Sequence, residues 1–155
     1  AEDASIAAAE GVAGIIVSNH GGRQIDGVIS SLDALPTIAK SVGDRVSLFV
    51  DGGIRTGEDV FKALALGATA AMFGRPVMYA LSIGGEEGLL SLFDRISTEL
   101  KTVMKLAGCK DLKVIRERGL SLLVGEKINS LQLSSDRLIG DGVRKDRVSI
   151  FKNVK

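Results

Sequence analysis

Apolar positions along this chain follow two different periods. Short, mostly apolar runs, each followed within a few residues by glycine, alternate with longer stretches whose apolar residues recur every three or four positions. The first pattern predicts buried strands, the second helices packed on one face. In order, Ala1–Glu10 reads as a helix, with Glu2 and Asp3 at the positive end of its dipole and Gly11 ending it. Val12–Val17 reads as a buried strand and the glycine-rich, polar Ser18–Ser31 as a long loop. Leu32–Ser41 returns to helical spacing, with Leu32, Leu35, Ile38 and Ala39 on one face and Pro36 in the first turn, where a missing N–H costs little. Val46–Val50 is a second strand closed by Asp51-Gly52-Gly53. Glu58–Leu66 is a helix with Gly67 as its terminal glycine, and Ala68–Phe73 is a third strand closed by Gly74-Arg75-Pro76. From Glu86 a longer helix runs to about Ala107, with Leu89, Phe93, Ile96, Leu100, Val103 and Ala107 along one stripe, and Gly108 stops it.

Strand and helix thus alternate three times with short connections. That predicts an α/β fold of βα units on a parallel sheet, with the loops that follow the strands all on one face. Beyond about Leu120 the periodicity fades. Val143–Lys155 sets Arg144, Lys145, Arg147, Lys152 and Lys155 against one acid, Asp146, and reads as a solvated basic tail.

Composition narrows the classes. With 155 residues, 45% hydrophobic and 25% charged, the chain can bury one sizeable core. A net charge of +1 gives no general attraction to nucleic acid or to an anionic membrane. The single Cys109 excludes an internal disulfide and points to a reducing compartment, here read as cytoplasmic. No apolar stretch reaches the roughly 20 residues of a membrane span, and the start lacks a secretory pattern. Ala1 opens directly on a helical pattern with no Met and no preceding strand, so the chain reads as a piece of a longer one.

Two stretches carry candidate chemistry. In Gly14–Gln24, GIIVSNHGGRQ, the only histidine follows a run of apolar β-formers, and Arg23 comes three residues later. A His is the simplest base near neutral pH, and the planar fork of an Arg suits a carboxylate. His20 and Arg23 would suit a substrate with a carboxylate beside an acidic or oxidisable position. Ser18 and Asn19 would reach a flat heterocycle. The second stretch is Asp51–Pro76, DGGIRTGEDVFKALALGATAAMFGRP, in which two glycine-bearing strand ends flank one helix. Gly52 and Gly53 admit a ligand close to the backbone, Arg55 and Arg75 supply full charges, and the amides of a tight loop or helix start supply partial ones. This is the chemistry of a phosphate cradle. No metal is called for.

Together the two motifs resemble the FMN-dependent 2-hydroxy-acid oxidases and dehydrogenases. The match is carried by SNHGGRQ at Ser18–Gln24, DGGIRTGEDVFKALALGA at Asp51–Ala68 and GRPVMYAL at Gly74–Leu81, and covers about Ala1 to Leu120. The resemblance implies the C-terminal portion, about three βα units, of a (β/α)8 barrel, followed by an extension at 121–155. It implies FMN as cofactor and oxidation of a small L-2-hydroxy acid of lactate or glycolate type to the 2-oxo acid. Oxygen, a quinone or a cytochrome would then take the electrons, and the protein would be a homo-oligomer. By the same resemblance His20 matches the active-site base and Arg23 the arginine that clamps the substrate carboxylate. Ser18 matches a residue near the flavin. Asp51, Gly53 and Arg55 match the first phosphate-side loop, and Gly74 and Arg75 the second. Many members carry a second arginine where Thr56 stands. The lysine, the His-orienting aspartate and the substrate-side tyrosines of the family's earlier strands have no counterpart in the chain, so the segment is expected to be inactive alone. The competing expectations are a non-catalytic half-barrel that binds phosphate or self-associates, and a different FMN or phosphate barrel enzyme such as a type-two isopentenyl diphosphate isomerase.

Overall fold

Three parallel strands, each followed by helix, form the structure, a computed structural model whose described residues are 1–123. Strands β1 (Gly14–Val17), β2 (Ser47–Val50) and β3 (Ala70–Ala71) lie in the order β1-β2-β3. Gly14 pairs with Ser47 through to Val17 with Val50, and Phe49 and Val50 pair with Ala70 and Ala71. The expected parallel βα arrangement is therefore present.

The register sorts the side chains onto two faces. Ile15, Val17, Leu48 and Val50 share the face that packs against the helices, in a core with Leu35, Val42 and Ala63. Ile16 and Phe49 share the other face, where Phe49 folds its ring over Gly14. A Val12–Val17 strand buried on both faces is thus a reading the structure corrects. The strand starts at Gly14, and Ile16 is 57% exposed. In a closed barrel this second face is the packed interior, and three strands make only part of that wall.

The helices are α1 (Glu2–Ala9), α2 (Ser31–Val42), α3 (Gly57–Ala65), α4 (Arg75–Leu106) and α5 (Leu112–Arg118). The Ser30 side chain caps α2 by accepting from the Asp33 amide at 3.1 Å. Because the cap lies this far upstream, Pro36 is the sixth helical residue and not in the first turn as expected; packing of Leu35 and Val42 on the sheet tolerates the lost backbone bond. The third strand is also shorter than the expected Ala68–Phe73, although Thr69 and Met72 still donate to the Leu48 and Val50 carbonyls.

The long helix begins not at Glu86 but at Arg75, with Pro76 in its first turn, and bends at Gly85 (φ 55°, ψ −139°). The expected Glu86–Ala107 helix is its second leg. Of the expected stripe, Ile96 is buried. Phe93 is 43% exposed and meets Phe73 edge-on, with ring centres 6.2 Å apart. Helix α5 has no counterpart among the sequence expectations. It starts on the Asp111 side chain, and its Ile115 joins Phe61, Leu64, Ala65, Cys109 and Leu122 in a second core. Apart from Ser121–Leu123, the extension at 121–155 and its basic run lie outside the described residues. Among the described residues no helix is long and apolar enough to cross a membrane.

Candidate functional site

The loops leaving the three strands meet at one rim and enclose a hollow of about 230 Å³. The first loop brings His20, Gly21 and Arg23, the second Asp51 to Arg55, and the third Met72, Gly74, Arg75 and Pro76. Every expected site residue except Ser18 and Asn19 lines this hollow. Ser18 lines the adjoining groove beside β1, and its Oγ accepts from the His20 amide at 3.1 Å.

The His-Gly-Gly order has a backbone cause. His20 (φ 56°), Gly21 (66°) and Gly22 (72°) are three successive left-handed residues, and His20 is the one non-glycine residue with positive φ among those described. Glycine makes two of the three steps inexpensive, whereas His20 carries a cost of about 1 kcal/mol. The turn is closed by the Gly22 amide donating to the Asn19 carbonyl at 3.0 Å and the Arg23 amide to that of His20 at 3.4 Å. It lies against the third loop: a Cβ on Gly21 would sit 3.5 Å from Arg75 Nη2.

Positive charge dominates the hollow. Arg23, Arg55 and Arg75 are exposed and form no ion pair among the described residues. Asp51 is the only carboxylate in the lining, and its Oδ1 is buried with no hydrogen-bond partner. The amides of Gly52, Gly53 and Gly74 donate to no group among the described residues, and a Cβ on Gly53 or Gly74 would meet only open space.

Of the two helix starts beside the hollow, that of α4 lies in its lining at Gly74 and Arg75, whereas that of α3 does not contribute. The N-terminus of α3 is closed by its own chain. The Arg55 and Thr56 amides both donate to Asp59 Oδ2 at 3.0 Å, and the Gly57 amide donates to Glu99 Oε2 at 2.8 Å. That last bond, with help from the Arg95 guanidinium, holds the Glu99 carboxyl below the usual range. Thr56 serves as the helix cap. Positive charge offered to an anion therefore comes from loop amides and guanidinium groups, not from the α3 dipole.

This donor set suits a phosphate end group: three open amides, two flanking arginines and one carboxylate placed to accept from hydroxyls. The volume sets a limit, because small-molecule pockets span about 300–1,000 Å³. The hollow has room for a phosphate end group but not for a whole nucleotide-like cofactor. Gly21, Ile54, Met72 and Pro76 also line the hollow and were not singled out by sequence reasoning. Their signal was position alone, within a few residues of a strand end or a marked histidine.

Residues 1–122 match the family described as FMN-dependent dehydrogenase. An L-lactate dehydrogenase of Caulobacter vibrioides is 51% identical over 116 residues, which is 75% of this chain and 30% of that protein. The 2-hydroxyacid oxidase 1 of Mus musculus is 47% identical over 114 residues, 74% of this chain and 31% of that protein. Mandelate oxidase solved with (S)-2-phenylpropionate superposes with a TM-score of 0.72 at 46% identity, covering 74% of this chain and 34% of the other. Another mandelate oxidase structure holds an FMN adduct. The chain spans about a third of the length of these relatives. Its three βα units are part of a (β/α)8 barrel, and the chain belongs to the FMN-dependent dehydrogenase family.

Proposed function

We propose that these residues form the base-and-phosphate corner of an enzyme that oxidises a small L-2-hydroxy acid to the 2-oxo acid with FMN. The observation that carries this reading is the single hollow shared by His20, Arg23 and the glycine loops. FMN, when bound, supplies the acceptor for the two electrons and for the second proton. Gly52, Gly53 and Gly74 would offer amides to its phosphate, and Arg55 and Arg75 would offset the phosphate charge. Asp51 would accept from hydroxyls beside it, and Ser18 would lie near the ring. Arg23 would hold the substrate carboxylate through two parallel hydrogen bonds, which fixes the hydroxyl-bearing carbon relative to His20. Converting CH–OH to C=O releases two electrons and two protons, and a ring nitrogen of His20 would take up one of those protons. The work would be done in a complete barrel, since three strands make only part of its wall. Apolar side chains exposed on the first leg of α4, with Ile83 at 89%, support burial against further protein.

The arginine tests the substrate class. In the complete enzyme Arg23→Met is expected to raise KM for L-lactate or glycolate about 10- to 100-fold, the equivalent of about 1.5–3 kcal/mol for charge-assisted hydrogen bonds. Steady-state kinetics measure this, and an unchanged KM removes the carboxylate-binding role.

A further inference from the structure

The strained His20 turn is held locally by its own hydrogen bonds, but little ties it to the folded body. Residues 21–30 are all exposed. The anchor is Ser31, a buried polar residue only 3% exposed, at the first position of α2. Its Oγ accepts from the amide of Asn19, the residue before the histidine, at 3.1 Å across twelve positions. The Asn19 side chain reaches back only weakly, with Nδ2 3.4 Å from the Ile29 carbonyl. The phosphate-side loop meets the same point. A Cβ on Gly52 would lie 3.1 Å from Ser31 Oγ and 3.2 Å from Asn19 Oδ1, so the two loops abut through these two side chains.

We infer that Ser31 is a positioning residue for His20. Its hydroxyl, fixed in the core at the start of α2, sets where the left-handed turn begins and hence where the imidazole stands relative to the substrate carbon. Helix capping does not need it, because Ser30 supplies the cap. This inference rests on the base role proposed for His20. It differs from that role in naming a group that acts through the Asn19 amide.

The test uses the complete enzyme with Ser31→Ala, Ser31→Thr and His20→Gln. Ser31→Ala is expected to lower kcat about 10- to 100-fold, the scale of a misplaced reacting group, with KM and FMN affinity little changed. Hydrogen exchange should quicken over residues 18–24 but not over β2, and Ser31→Thr should restore both rate and protection. Ser31→Ala with wild-type kcat beside an inactive His20→Gln overturns the positioning role alone. Loss of kcat together with FMN affinity and β2 protection also overturns it, since that pattern marks general destabilisation. A fully active His20→Gln removes the base role itself, and the positioning role with it.

Discussion

Replacing His20 by Gln in the complete enzyme is expected to lower kcat about 10²- to 10⁴-fold, the usual contribution of a positioned general base. Gln keeps a polar side chain of similar reach but has no group that takes a proton near neutral pH. FMN should remain bound, because the phosphate contacts proposed here come from Gly52, Gly53, Gly74, Arg55 and Arg75 and not from the imidazole. Substrate should also still bind through Arg23. The expected signature is therefore a yellow protein with nearly normal KM and almost no turnover. Stopped-flow reduction under anaerobic conditions reads it directly, and a wild-type rate removes His20 from the chemistry. The φ of 56° at this residue agrees with the expectation, because strained non-glycine residues cluster at active sites.

The second large effect lies behind the site. Gly57→Ala is expected to destabilise the protein by about 3–5 kcal/mol, at the upper end for overpacking. A Cβ there would collide with the backbone of α4 at Leu100 N, Ile96 O and Glu99 C. Ordinarily Gly→Ala in a helix gains up to about 1 kcal/mol. Here contact between two backbones outweighs that gain, since neither can rotate away as a side chain would. Separation of α3 from α4 would also break the Gly57-to-Glu99 bond and the bond from Arg95 Nη2 to the Arg55 carbonyl at 3.2 Å. Both bonds fix the loop that carries Arg55. Urea unfolding should show a midpoint lower by about 2 M for a typical slope. An unchanged midpoint would mean that the helices do not approach this closely.

Much of this was legible in the chain because it is written locally. Apolar runs closed by glycine marked β1 and β2, and positive φ at Gly11, Gly67 and Gly108 agrees with their reading as helix ends. The first leg of α4 escaped because Val77, Met78, Tyr79, Leu81 and Ile83 make no single stripe, and Arg75-Pro76 was taken as the end of a strand and not the start of a helix. Helix α5 escaped because seven residues are too few for a period, although Asp111 was an available cap. At the site, His20, Arg23, Arg55 and Arg75 stood out as charged residues beside glycines. The closure of α3 by Glu99 and the anchoring of Asn19 by Ser31 did not, because both join positions far apart in sequence. Such bonds exist only after the helices have packed.

The most direct measurement is the visible absorbance of the purified complete enzyme, recorded before and after anaerobic addition of L-lactate or glycolate. A yellow flavin spectrum that bleaches on addition of one of these acids is the predicted result. A protein that stays colourless in the presence of FMN, or a yellow one that neither acid bleaches, would contradict a phosphate cradle and a proton acceptor working side by side.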